Sequence, residues 1–126
     1  MKHAAFAPAL VFAAVTLSAM ALSPLAAARI DLHATGTATT VQVRGGEFFF
    51  RLSAKSAAKP GTVTFVFKNV GHVLHDFKIN GKQTPLIQPG KTVKLVVTFK
   101  KKGNYPYLCT VPGHAQAGMK GVFTVR

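Results

Sequence analysis

Four side chains in this sequence carry donor atoms whose combination suits one kind of ion. Cys109, His114 and Met119 share a short C-terminal stretch, Tyr-Pro-Tyr-Leu-Cys-Thr-Val-Pro-Gly-His-Ala-Gln-Ala-Gly-Met-Lys-Gly over residues 105–121, with four residues between each neighbouring pair. His75 lies upstream in Val-Gly-His-Val-Leu-His-Asp-Phe. One thiolate, two imidazoles and one thioether suit a copper ion that alternates between two oxidation states: the sulfur ligands favour Cu(I), the imidazoles serve both states, and a His2Cys plane with a weak axial Met marks a blue-copper electron-transfer site. A cage acceptable to both states keeps the rearrangement on electron transfer small.

Other chemistries fit less well. The single Cys cannot form an internal disulfide, and an unpaired Cys in an exported chain calls for an explanation. A buried Cys acting as a small hydrophobe is one; the nearby His114 and Met119 favour a metal instead. Zinc accepts the same Cys and His, but Met is a poor zinc ligand. A dinuclear copper centre needs two Cys on the loop, and copper oxidases and nitrite reductases need further His clusters, so no enzyme is expected.

The motif Cys-Thr-Val-Pro-Gly-His with Met five residues on, preceded by Asn-Val-Gly-x-x-x-His, resembles the cupredoxins, and among them the small plastocyanin/azurin-like proteins. The resemblance covers residues 41–126. It implies an all-β, Greek-key β-sandwich of seven to eight strands, one type 1 copper and one-electron transfer without catalysis. Matched position by position, it makes His75, Cys109 and His114 the equatorial ligands and Met119 the axial one. Asp76 departs from the pattern: many relatives carry Asn there, whose amide ties the two ligand loops together, and Asp76 can accept similar hydrogen bonds. The resemblance also implies that the far edge of His114 reaches the surface beside Pro112, Gly113, Ala115, Ala117 and Gly118, and that electrons pass through it. His75 should have a buried partner on its other ring nitrogen, which the sequence does not name.

The elements that must position these residues read as short strands. Val41-Gln42-Val43 alternates and meets Gly45-Gly46, a turn or bulge signal. Residues 47–52 carry three consecutive Phe, suggesting a strand buried on both sides or bent by a bulge. Residues 53–59 read as a loop or short helix. Residues 62–69 alternate, with Val63, Phe65 and Phe67 on one face. Residues 73–79 read as a strand that points His75, Phe77 and Ile79 inward. Asn80-Gly81 signals a hairpin. Residues 91–100 make a long strand, 105–109 lead into the ligand loop, and 121–125 close the sheet. Pro112-Gly113 supplies the loop's tight turn, since Pro fixes φ and Gly accepts unusual dihedrals. Frequent turns and no long helix argue independently for a sandwich or barrel.

Residues 1–28 read as a signal peptide: Lys2 and His3, an apolar run, the Ser23-Pro24 break and an Ala26-Ala27-Ala28 cleavage pattern. The rival is a retained membrane anchor, for which the run is marginally long enough. Residues 29–40 read as a flexible lead-in or first strand. A cleaved signal peptide implies a periplasmic or otherwise exported protein without stable membrane insertion, and a monomer is expected. The formal charge of +13 steers acidic partners, such as a c-type cytochrome or a copper or haem reductase with an acidic face. Nucleic acid is not expected, given export and the lack of an RNA-binding motif. His72 is read as a surface residue, His33 as solvated, His3 and Met20 as part of the presequence, and Tyr105 and Tyr107 as packing residues. Two alternatives to an electron carrier remain: a protein that delivers or stores copper through more exposed ligands, and a metal-free sandwich that binds a partner.

Overall fold

The computed structural model describes residues 39–126. The expected signal peptide and most of the expected lead-in, with His3, Met20 and His33, lie outside them. The described residues form nine strands: β1 (Thr39–Gly46), β2 (Phe49–Leu52), β3 (Ser56–Ala57), β4 (Gly61–Asn69), β5 (Lys78–Ile79), β6 (Lys82–Gln83), β7 (Thr92–Phe99), β8 (Gly103–Leu108) and β9 (Lys120–Val125). Three are two-residue pieces, and among the described residues no helix is long and apolar enough to cross a membrane. The strands form two sheets, ordered β2-β1-β4-β7 and β3-β9-β8-β5-β6.

β1 runs parallel to β4, with Val41 opposite Phe65, and β3 runs parallel to β9. A hairpin cannot make a parallel pair, so the chain must cross between the sheets. These are the crossed connections of a sandwich. Period-two alternation drives the packing. β4 turns Val63, Phe65 and Phe67 inward; β1 adds Val41 and Val43; β7 adds Val97 and Phe99; β9 adds Phe123 and Val125; all are buried. Phe65 meets Phe123 edge-on at 5.3 Å, and Phe50 meets Phe77 edge-on at the same distance. Such pairs contribute about 0.5–1.5 kcal/mol each beyond the apolar area they bury.

Several segments differ from their sequence reading. Gly45-Gly46 is not a turn but the paired end of β1, opposite Phe50 and Phe49. Glycine is needed there because a Cβ on Gly45 would fall 2.7 Å from the Phe67 ring and 2.8 Å from that of Phe50. The turn is Glu47-Phe48 instead. The Phe run is not buried on both sides: β2 is an edge strand, Phe50 packs on the core, Phe49 lies under the Arg51 guanidinium, and Phe48 is exposed. Residues 53–59 hold β3 rather than a helix. Of the strand expected over residues 73–79, only Lys78–Ile79 is regular. His75, Phe77 and Ile79 still point inward, but His75 makes only an isolated bridge to Ile87.

Candidate metal centre

β8 delivers Cys109 to one end of the sandwich, and β9 takes the chain back from Met119. Between them residues 109–119 fold on themselves. The His114 N–H donates to the Val111 carbonyl (3.1 Å), that of Ala117 to Gly113 (3.0 Å), and that of Met119 to His114 (3.0 Å). The Cys109 N–H closes the loop on the Met119 carbonyl at 3.1 Å. Gly113 sits at φ 84°, the left-handed conformation the Pro-Gly turn requires. Cys109 and Met119 are buried, and His114 is partly exposed.

His75 comes from the other side. Its Nδ1 is 3.1 Å from His114 Nδ1 and 3.9 Å from Cys109 Sγ, and His114 Nδ1 is 3.7 Å from the same sulfur. Ligand bonds of about 2.0–2.3 Å around one borderline-soft ion would give a triangle with edges of about 3.3–3.9 Å. Two edges match and the nitrogen pair is slightly tighter, so the three donors fit one ion. Met119, wholly buried and bonded through its backbone to Cys109 and His114, belongs to the same loop.

The groups holding these donors are mostly ones the sequence did not single out. Glu47, at the β1–β2 turn, accepts from His75 Nε2–H at 2.9 Å, from the His72 N–H at 2.7 Å and from the Val73 N–H at 3.1 Å. The His72 N–H, with the His75 ring next, holds its carboxyl at about 2, below the ordinary 4.5. Donation from Nε2 fixes the tautomer and leaves Nδ1 with a lone pair facing the cluster. Gly71 makes room: a Cβ there would lie 2.8 Å from Glu47 Cδ. Asn69, fully buried at the end of β4, donates from Nδ2 to the carbonyls of Val73 (2.7 Å) and Ile87 (2.9 Å) and accepts the Gly71 N–H through Oδ1 (2.9 Å). These bonds take up the backbone of residues 71–73, which is why no regular strand forms there.

Asp76 is buried beneath the loop. It accepts the Thr110 N–H at 2.6 Å, the Gln83 Nε2–H at 2.8 Å and the Thr110 hydroxyl, and so ties the His75 segment to the Cys109 loop, as its place in the motif implied. Burial pushes the Cys109 thiol above its ordinary 9.0, although backbone hydrogen bonds from Asp76 and Val111 pull the other way. A metal must therefore displace a proton from sulfur.

His72 lies outside the cluster, with its side chain 95% exposed and Nδ1 3.3 Å from Glu47 Oε2. Tyr107 is buried in the core and Tyr105 packs edge-on against Phe99, 4.6 Å away. Phe48 stands edge-on to the His114 ring at 5.0 Å and is 43% exposed. With Pro112, Gly113, Ala117 and Gly118, all exposed, it makes the surface beside that ring apolar. The small residues were legible in the motif; Phe48, reached from the other sheet, was not.

A two-sheet sandwich holding a His2Cys cluster over a Met-bearing loop defines a mononuclear copper protein of the blue type. The chain belongs to the plastocyanin/azurin family of copper binding proteins, whose family model matches residues 26–126, and the residues present fit one type 1 copper. It is 26% identical to the copper-resistant cuproprotein CopI of Pseudomonas aeruginosa, over 75% of this chain and 80% of that protein. Its structure is similar to that of dithionite-reduced auracyanin from Roseiflexus castenholzii, with a TM-score of 0.61 and 25% identity over 71% of this chain and 98% of that one. The fold is also that of part of a copper nitrite reductase from Nitrosomonas europaea: TM-score 0.58, 20% identity, 70% of this chain and 41% of that one.

Proposed function

We propose that the protein is an exported carrier of single electrons, with His75, Cys109 and His114 as equatorial ligands of a type 1 copper and Met119 as the axial one. The observation that carries this reading is the triangle of Nδ1, Nδ1 and Sγ, which converges from two separately anchored segments. Copper bound there supplies a one-electron couple. The chain's own residues hold its donors still: Glu47 sets the His75 tautomer, Asp76 ties the two segments together, and burial of Cys109 keeps water from the sulfur. His114 is the way in and out, because its ring is partly exposed and bordered by Phe48 and small residues. Excess positive charge attracts redox partners with an acidic face, such as a c-type cytochrome or a copper or haem reductase. Residues 1–28 direct export to the periplasm, and the protein performs no catalysis of its own.

The similarity to a copper-resistant cuproprotein favours a second reading, delivery or storage of copper. Competition separates the two. The Cu(I)-loaded protein is mixed with a mild chelator, and in parallel with an oxidised c-type cytochrome that presents an acidic face. A carrier keeps its copper and reduces the cytochrome through a second-order reaction slowed by salt. Surrender of copper within minutes, with slow electron exchange, would favour delivery and defeat the carrier reading.

A further inference from the structure

The chain has sixteen Lys and Arg and only three Asp and Glu. Both of the acidic residues described, Glu47 and Asp76, sit at the donor cluster. Asp76 satisfies loop donors beneath Cys109. Glu47 differs, since it touches a donor ring directly. We propose that Glu47 is a positioning residue for the copper site: its carboxylate locks His75 with Nδ1 toward the ion and, through its charge, favours the more highly charged copper state, lowering the reduction potential. This inference rests on the copper reading above.

The seat of the carboxylate is built from several elements. Glu47 lies at the β1–β2 turn, on the opposite side of the His75 ring from the Nδ1 cluster. Oε1 is held by two backbone N–H groups as well as by His75 Nε2, so it cannot swing away without breaking three hydrogen bonds. The Glu47 side chain is 27% exposed, whereas that of His75 is wholly buried. The imidazole therefore lies between the carboxylate and the cluster with no solvent around it, and water screens the charge less than it would at an open surface. An anion hydrogen-bonded to a ligating imidazole also makes that imidazole a stronger donor. Both effects act more strongly on Cu(II) than on Cu(I), so they push the couple in one direction. The open space at Gly71 is part of the same arrangement, because any side chain there would displace the carboxylate.

Glu47→Gln keeps the turn and an acceptor oxygen but removes the charge. Copper affinity in both oxidation states and the reduction potential would be measured on wild type and variant. The expected result is a loss of about 10–100-fold in Cu(II) affinity with Cu(I) affinity nearly unchanged. The potential then rises by about 59 mV for each tenfold. Gly71→Ala retains the charge but dislodges it, and should shift the potential the same way. In the metal-free protein, nitrogen NMR of His75 should report the Nε2–H tautomer in wild type and a mixture in Glu47→Ala. A wild-type protein that never turns blue would sink the copper reading and this inference with it. A blue wild type whose potential is matched by Glu47→Gln would sink this inference alone.

Discussion

The two segments that meet at the donor cluster are held by opposite means. Residues 109–119 largely support themselves: the backbone-to-backbone hydrogen bonds that shape the loop begin and end within it, Gly113 sets its tightest turn, and the Thr110 N–H reaches out to Asp76. The His75 segment has almost no regular pairing, and side chains from elsewhere hold it in place. Asn69 secures its start, Glu47 its middle and one ring nitrogen, and the Ile87 bridge its backbone. The difference teaches that three donors of the site come as a unit, while the fourth depends on distant residues that must themselves be folded correctly.

Breaking the self-contained loop should have the largest effect. Cys109→Ser removes the thiolate, and the intense thiolate-to-copper absorption should vanish, as read by adding Cu(II) and recording the visible spectrum. The supported segment should fail differently. Asn69→Ala strands two carbonyls and an N–H, at a cost of about 2–4 kcal/mol. Denaturant unfolding should show that loss, and hydrogen exchange should loosen at Val73 while His114 and Met119 stay protected. Equal loosening of both segments would erase the contrast.

Asp76, the tie between them, gives a finer test. Three donors converge on its two oxygens, from Thr110 N, Thr110 Oγ1 and Gln83 Nε2. An Asn side chain offers one acceptor oxygen and sets an NH2 against a donor. Asp76→Asn should therefore cost about 1 kcal/mol, by the same unfolding measurement.

Glu47 adds a pH signature. Its folded value of about 2 lies below the ordinary 4.5, so its carboxylate stabilises the fold fully above pH 4.5. That contribution is lost as pH falls toward 2. Metal-free wild type should lose more stability than Glu47→Gln across that window in thermal melts. The smallest effect belongs to His72→Ala. With its side chain 95% exposed, it should leave copper stoichiometry intact and stability within about 0.5 kcal/mol.

The same contrast explains how much the sequence disclosed. Cys109, His114 and Met119 were legible because a contiguous loop displays its donor types and spacing together. His75 was legible from period-two alternation, which held for the facing of residues 75, 77 and 79 even where the regular strand did not. The sandwich followed from the alternation of β4 and the turn signals around it. Glu47 was not legible, for it lies 28 positions before His75, between a Gly pair and an apolar Phe run, and meets that ring only after β1 and β2 pair. Its one signal was scarcity: a carboxylate in a chain with so few has reason to be where it is. Phe48 was missed on similar grounds, since no local pattern separates it from a strand or turn residue; Asn69 was visible as the first residue of the Asn-Val-Gly-x-x-x-His motif, but the three hydrogen bonds of its side chain were not.

The central claim is that two imidazole nitrogens and one sulfur, brought together from two segments, hold a single copper ion. It is tested most directly by titrating the purified protein with Cu(II) while recording absorption and electron paramagnetic resonance. The account predicts an intense blue band that saturates at one equivalent, bleaches on reduction, carries the narrow copper hyperfine splitting of a thiolate-bound site, and disappears in His75→Ala. A weak, tetragonal copper signal, or a blue band that survives the loss of His75, would contradict it.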